Sequence, residues 1–161
     1  MPCLRRVCLS ARTRGVPRER GFTLIEVLIA MVVLAILAAT AYPLYTEFVR
    51  RSKIMEATST MNDYRVRMEQ FFQDNRRYNS AGTTCGVLDP VTNGNFTFAC
   101  TNATATGYTL DATGVSAKGM GAFGYQLQVA PGGVTRSTTS VYSGWTAASN
   151  CWTVRKNGDC Q

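Results

Sequence analysis

The stretch that decides the fold is residues 18–45, RERGFTLIEVLIAMVVLAILAATAYPLY. Between Phe22 and Thr46 the only charged residue is Glu26, and this run of 25 residues exceeds the roughly 20 that a helix needs to cross a bilayer core. A carboxylate inside such a run is costly and is rarely placed there without a use. The segment therefore predicts a membrane helix, and it raises the question of what pairs with Glu26.

The segment that precedes the apolar run is strongly basic. Residues 1–21 hold six arginines and one acid, Glu19, so they supply +5 (6 − 1) of the formal net charge of +7. The basicity thus belongs mainly to this leader and not to a nucleic-acid-binding surface. An excess of positive charge before the span predicts a cytoplasmic N-terminus and an exported remainder. The apolar run continues into further helix, unlike a cleaved secretory signal.

The composition argues against an enzyme. The chain has no histidine, which excludes Ser-His-Asp and Cys-His catalysis and removes the commonest zinc ligand. It also has no GxGxxG, GxxxxGK[ST] or HExxH motif. We therefore expect no catalytic residues, no cofactor and no metal site.

Four of the six cysteines lie in the polar C-terminal half, and the other two, Cys3 and Cys8, lie in the leader. Four cysteines in a small exported domain predict two disulfides, for which three pairings exist. Short loops favour the pairs Cys85–Cys100 and Cys151–Cys160. The alternative is four free thiols in a cytosolic protein, which the export signal disfavours.

Two interpretations of Glu26 remain open on these grounds. It could lie near the membrane interface and have no role. Alternatively it pairs with a cation from another chain, because no lysine or arginine lies within the run itself. A free N-terminal ammonium on a neighbouring subunit would fit, if the leader were removed just before Phe22.

These residues resemble a known signal. RGFTLIEVLIAMVVLAILAATAYP is similar to the class III signal of type IV prepilins, with Glu26 at the fifth position after the cleavage point. The resemblance implies that prepilin peptidase cuts after Gly21, that Phe22 is N-methylated, and that Glu26 neutralises the amine of Phe22 in an adjacent subunit. Pro43 matches the helix-breaking proline of the family, so we expect a kink there.

The leader departs from the family pattern, because 21 residues is long for the commonest class. Translation could begin at Val16 instead of Met1, which would leave a short basic leader. The nucleotide sequence would decide this point.

The second half of the helix, residues 47–75, has an apolar face at a spacing of three and four residues. Its members are Ile54, Ala57, Met61, Tyr64, Met68 and Phe71. We interpret this face as docking on a C-terminal sheet, with a parallel coiled coil as the alternative.

Residues 76–161 are rich in Gly, Thr, Ser and Asn, with turn signals such as Asn93-Gly94 and Pro131-Gly132. Alternating segments at 108–113 and 125–130, and a further candidate at 151–154, predict about four antiparallel strands. The fold class is thus α+β: a long kinked helix, with a membrane or filament-core half at 22–46, packed on a small disulfide-linked sheet, as in pilins.

The resemblance implies a structural subunit of a type IV pilus, most similar to minor pilins of the PilE kind. Its partners would be other pilins, prepilin peptidase, the pilus assembly machinery and the inner membrane. It would be stored in the bacterial inner membrane as a single-pass protein and then assembled into an extracellular pilus. A major pilin and a type II secretion pseudopilin are alternatives.

A second hypothesis is a minor pilin that captures DNA during natural transformation. Six basic residues of the C-terminal half could form a stripe: Arg76, Arg77, Lys118, Arg136, Arg155 and Lys156. Arg155 and Lys156, beside Trp152, are the best local candidates for DNA contact. The alternative is six scattered solvated charges, and clustering on one face would discriminate between the two.

Overall fold

A computed structural model describes residues 21–160 of the chain. The rest of the leader, with Cys3, Cys8 and the candidate start Val16, lies outside the described residues. By internal contacts the chain divides into two units, Met1–Ala41 and Tyr42–Gln161. The elements in chain order are α1 (Leu24–Asn75), β1 (Phe96–Thr101), β2 (Tyr108–Gly114), a 3₁₀ turn (Ser116–Lys118), β3 (Gly124–Ala130) and β4 (Gly133–Ser140).

The N-terminal part of α1 is apolar and uncovered. The helix is long and apolar enough to cross a membrane, and no residue of its most apolar window is buried. An apolar helix surface of this size is stable in lipid or against other helices, but not in water. This part of the chain therefore fits membrane anchoring.

The helix continues through Pro43 without interruption. Proline has no backbone N–H, so the carbonyl of Ala39 lacks its usual helical donor. Nearby, the Thr46 hydroxyl donates to the Pro43 carbonyl at 2.9 Å. Pro43 therefore costs the helix one hydrogen bond, and a bend at this residue stays a prediction.

The second unit contains a four-stranded antiparallel meander in the order β1-β2-β3-β4. A two-residue loop, Pro131-Gly132, joins β3 to β4, with Ala130 opposite Gly133. Gly133 has φ of 124°, a conformation that favours glycine. The turn signal in the sequence therefore marked a real hairpin.

The C-terminal half of α1 packs on this sheet. Five members of the predicted apolar face are completely buried in one core, and the sixth, Phe71, is half-buried. The buried ones are Ile54, Ala57, Met61, Tyr64 and Met68. The Tyr64 ring contacts that of Tyr108 on β2 edge to face, at 6.2 Å between centroids. Docking on the sheet is confirmed, and the same face is not available for a coiled coil.

The strand candidate at 151–154 was wrong. In this segment only Thr153 forms a bridge, to Cys160, and the remaining residues form a loop. The loop is instead held by side chains: the Tyr125 hydroxyl donates to the Thr153 carbonyl at 3.0 Å, and the Trp152 indole donates to the Gln126 carbonyl at 2.9 Å. Buried Trp152 explains the apolar pattern, because core contacts and strand pairing select similar residues. The third and fourth strands are β1 and β4.

Two disulfides join the four C-terminal cysteines, in the pairing that the short loops favoured. Cys85–Cys100 links the connection after α1 to β1, with 6.2 Å between the Cα atoms. Cys151–Cys160 closes the C-terminal loop, with 5.5 Å between the Cα atoms. Both constrain segments that have little regular structure of their own.

Candidate assembly site and basic surfaces

Phe22 and Glu26 lie at the beginning of α1. The Thr23 hydroxyl accepts a hydrogen bond from the Glu26 backbone N–H at 3.3 Å, which caps the first turn. The side chain of Phe22 is 81% exposed just before the helix, and Gly21 precedes it in an exposed, irregular segment. The candidate cleavage point is therefore accessible, and the carboxylate lies one helical turn beyond it.

The Glu26 carboxylate has no ion-pair partner among residues 21–160, where the two ion pairs are Arg155–Asp159 and Lys156–Glu47. It lies at the edge of a shallow groove of about 340 Å³. The other lining residues are Phe22, Val27, Ala30, Met31 and Leu34. Once lipid or other helices cover this segment, a lone carboxylate attracts a cation strongly, because there is little water to screen it. This arrangement can bind a positive group from outside the chain.

Three of the six predicted bases lie in the C-terminal loop or against it. Arg155 pairs with Asp159 at 3.2 Å, and Lys156 pairs with Glu47 of α1 at 3.6 Å. The Arg136 guanidinium lies over the Trp152 ring, 5.3 Å from its centroid. Arg155 and Lys156 are exposed, so they remain available to a ligand. Their acidic partners, however, offset part of the positive potential.

The other three bases lie elsewhere. Lys118 is next to Lys53, whose ammonium donates to the Lys118 carbonyl at 3.0 Å. Arg76 and Arg77 follow the end of α1 at Asn75. Because residues 53 and 76 are 23 positions apart along the chain, about 35 Å of helix separates these two groups. Arg76 and Arg77 therefore lie far from Lys118 along the helix, and a single stripe of all six bases stays a prediction.

The structure shows one further basic group, which was not predicted from the sequence. Arg50 and Lys53 of α1 line a groove of about 240 Å³ with Lys118. The Arg50 guanidinium lies over the Tyr142 ring, 5.0 Å from its centroid. The spacing of 50 and 53 places both on one side of a helix, which the sequence could have shown. The approach of Lys118 depends on the tertiary fold.

The tyrosines of the core are structural. Burial raises the pKa of Tyr64, Tyr108 and Tyr125 far above the ordinary value of about 10. Burial, then the hydrogen bond from its hydroxyl to Glu69, raises the pKa of Tyr78. These hydroxyls stay neutral near pH 7. Those of Tyr64, Tyr78 and Tyr125 donate hydrogen bonds, whereas the buried Tyr108 hydroxyl has no hydrogen-bond partner among residues 21–160. In the described part of the chain, no group of three or more His, Cys, Asp and Glu residues could hold a metal ion.

Comparison with known proteins identifies the family. Residues 16–42 match the prokaryotic N-terminal methylation motif, and residues 43–122 match the family described as type IV minor pilin ComP, DNA uptake sequence receptor. The exposed apolar helix, the four-stranded sheet and these matches agree. The chain belongs to the type IV pilin family, and it is a structural protein rather than an enzyme.

Curated relatives support the same assignment. The type IV major pilin protein PilA of Myxococcus xanthus strain DK1622 is 39% identical over 70 residues, which cover 44% of this chain and 32% of PilA. A type IV major fimbrial protein FimA of Dichelobacter nodosus is 37% identical over 71 residues, or 44% of each protein. The matched segments thus span less than half of these relatives' lengths. No solved structure matches the chain significantly.

Proposed function

We propose that this chain is a minor subunit of a type IV pilus. The observation that carries the proposal is the uncovered apolar half of α1 with an unpaired Glu26, on a chain whose other half is a disulfide-linked sheet domain. Residues 1–21 form the leader, residues 22–46 the membrane and filament-core segment, and residues 76–161 the periplasmic domain. Before assembly the leader faces the cytoplasm and the sheet domain lies outside the inner membrane.

Removal of the leader after Gly21 creates an ammonium at Phe22, which is then N-methylated. In a helical bundle of subunits, Glu26 of one copy pairs with this ammonium on the next. Breaking a pair in a low-dielectric core leaves an uncompensated charge, which costs about 3–5 kcal/mol. The contact is between two different surfaces, so it repeats along a fibre and does not close.

The substitution Glu26→Gln tests this assembly role. The variant removes the charge but keeps the size, so we expect normal amounts in the inner membrane and at least a tenfold loss from sheared pili. Glu56→Gln is the matched control, since Glu56 is also an exposed acid of α1 but lies outside the apolar segment. Equal incorporation of both variants would contradict the proposal.

Placement as a minor subunit is tested by stoichiometry. Quantitative mass spectrometry of sheared pili should find this chain in a small proportion relative to a major pilin of the same cell. An equal or dominant share would make it a major pilin. Presence only with a type II secretion complex would make it a pseudopilin.

DNA capture is a second candidate function, which the match to the DNA uptake sequence receptor family favours. The matched range, 43–122, ends before Arg136 and the C-terminal loop. It includes Arg76, Arg77 and Lys118, so the match does not point to Arg155 and Lys156 in particular. The assignment of these two residues to DNA contact rests on their exposure and on their position beside buried Trp152.

A salt series with short duplexes tests DNA capture by the mature, disulfide-intact chain. Binding that persists at physiological salt and depends on sequence would support a receptor. Arg155→Ala/Lys156→Ala should then weaken it at least tenfold. Arg76→Ala/Arg77→Ala removes the same charge from within the matched range, so a larger loss in this variant would move the DNA contact away from the C-terminal loop. Binding that vanishes uniformly with salt would leave the structural role alone.

A further inference from the structure

A basic groove lies beside α1, just after the uncharged run of the helix ends. It is lined by Tyr45, Thr46, Val49, Arg50, Lys53, Lys118 and Gly119 and has a volume of about 240 Å³. We refer to it as the interfacial groove. Three cationic side chains converge on it, two from α1 and one from the 3₁₀ turn before Gly119. Its α1 side near Tyr45 and Val49 is apolar, so the groove combines a cationic and an apolar lining.

The position of the interfacial groove along the helix is distinctive. The uncharged run ends at Thr46, and the lining of the groove begins there. Tyr42 and Tyr45 are 72% and 66% exposed. Exposed tyrosines at the end of an apolar helix typify the headgroup level of a bilayer. Arg50 and Lys53 follow within two turns, and their long side chains can extend back towards the headgroups.

The cations of the groove have no acidic partner in the part of the chain that the structure describes. Neither ion pair found in residues 21–160 involves Arg50, Lys53 or Lys118. Two of the three are nevertheless oriented, since Arg50 stacks on Tyr142 and Lys53 donates to the Lys118 carbonyl. Basic residues just after the exported end of a span also oppose the usual charge bias. Oriented, unpaired donors at this place indicate an anionic ligand.

We propose that the interfacial groove binds the phosphate headgroup of an anionic phospholipid while the subunit resides in the inner membrane. Lys118, Lys53 and Arg50 contact the phosphate, and Tyr45 and Val49 contact the glycerol and upper acyl chain. A basic side chain at an anionic lipid surface contributes about a fivefold gain in affinity. The inference rests on membrane storage of the subunit, which is part of the proposed function.

Lipid binding by the mature full-length chain in detergent tests the proposal. Native mass spectrometry would compare the affinities for phosphatidylglycerol and phosphatidylcholine. We expect a clear preference for phosphatidylglycerol in the wild type, and a reduction of about 20- to 30-fold in Lys53→Gln/Lys118→Gln. Arg67→Gln/Arg77→Gln removes the same charge from exposed sites at the other end of α1 and should leave the preference unchanged.

A second variant distinguishes the loss of a lipid contact from misfolding of the groove. Lys118→Gln alone removes an exposed ammonium and keeps the backbone carbonyl that Lys53 contacts. It should lower the preference about fivefold without changing the unfolding midpoint. An unchanged preference in this variant and in the double variant would overturn the proposal.

Competition experiments distinguish the source of the phosphate. Inorganic phosphate in large excess should not displace the lipid if the glycerol and acyl contacts matter, whereas full displacement would reduce the groove to a simple anion site and overturn the lipid assignment. Displacement by a short duplex DNA, lost in Lys53→Gln/Lys118→Gln, would assign the groove to DNA instead. Failure of the wild-type chain to insert into phosphatidylcholine bilayers would refute membrane storage itself, a separate result from loss of lipid preference.

Discussion

Gly114, the last residue of β2, has no room for a side chain. A Cβ at this position would overlap the carbonyl oxygen of Met120. The backbone here is tightly tied, because the Gly114 N–H donates to the Phe123 carbonyl at 2.9 Å. Gly132, in the β3–β4 turn, has no atom within 4 Å of the same point. Two glycines of one sheet thus differ completely in what they tolerate.

We therefore expect Gly114→Ala to lower the free energy of unfolding by about 1–3 kcal/mol, since the backbone must shift to relieve the overlap. Gly132→Ala should change it by less than about 1 kcal/mol. Urea unfolding of the mature chain in detergent, followed by tryptophan fluorescence, measures both. Similar losses in the two variants would contradict the steric explanation.

Tyr125 makes the free energy of unfolding depend on pH in the alkaline range. Burial raises the pKa of its hydroxyl, which donates to Thr153, so the folded state disfavours the ionised form. The unfolded chain ionises near pH 10. Its contribution to stability is therefore complete below about pH 10 and is lost as pH rises towards the folded pKa.

Above about pH 10 we expect the free energy of unfolding to fall with pH, and Tyr125→Phe to reduce that slope by about 1.4 kcal/mol per pH unit. At neutral pH the variant should lose about 1 kcal/mol with its hydrogen bond. Unfolding curves at several alkaline pH values test this. An unchanged slope in the variant would show that Tyr125 does not take part.

At the scale of elements, α1 has two halves with different requirements. The half that begins at Leu24 exposes apolar residues on all sides, so only lipid or other helices can cover it. The half that contains Met61 has a narrow buried face against the sheet. One continuous helix therefore serves both a membrane or filament environment and the core of the second unit.

In the second half of α1, the loss of stability on truncating a side chain should depend on whether that side chain lies on the buried or the exposed face. Met61 is completely buried, so Met61→Ala should lower the free energy of unfolding by about 2–5 kcal/mol. Val66 is 58% exposed, and Val66→Ala should cost less than about 0.5 kcal/mol. Chemical denaturation compares the two, and equal losses would argue against docking of this face on the sheet.

At the scale of the whole chain, one ion pair joins the C-terminal loop to α1. Lys156 and Glu47 lie more than 100 positions apart in sequence but 3.6 Å apart in space. Both side chains are partly exposed, so water and salt screen the attraction. Buried Trp152 and the hydrogen bonds between the loop and β3, rather than this pair, hold the loop in place.

A double-mutant cycle with Glu47→Gln and Lys156→Gln should give a coupling energy below about 1 kcal/mol that decreases with added salt. Denaturation at low and high ionic strength measures it. A coupling of several kcal/mol, insensitive to salt, would show instead that the pair anchors the C-terminal loop.

Local patterns were enough to predict the helix, its docking face and the α+β class, whereas the assembly roles of Phe22 and Glu26 stay predictions. Apolar runs and helical periodicity are short-range properties, so they can be read without knowing the fold. The hairpin at Pro131-Gly132 was also predictable, because turn chemistry is local. The strand candidate at 151–154 failed, since an apolar loop that covers a core has the same composition as a strand.

Only the tertiary structure decided which distant residues meet. The approach of Lys118 to Lys53 depends on how the loop after β2 packs beside α1. The pairing of Lys156 with Glu47 depends in the same way on where the C-terminal loop lies. Contacts between residues far apart in sequence follow from the packing of whole elements, and no local pattern of side chains encodes that packing.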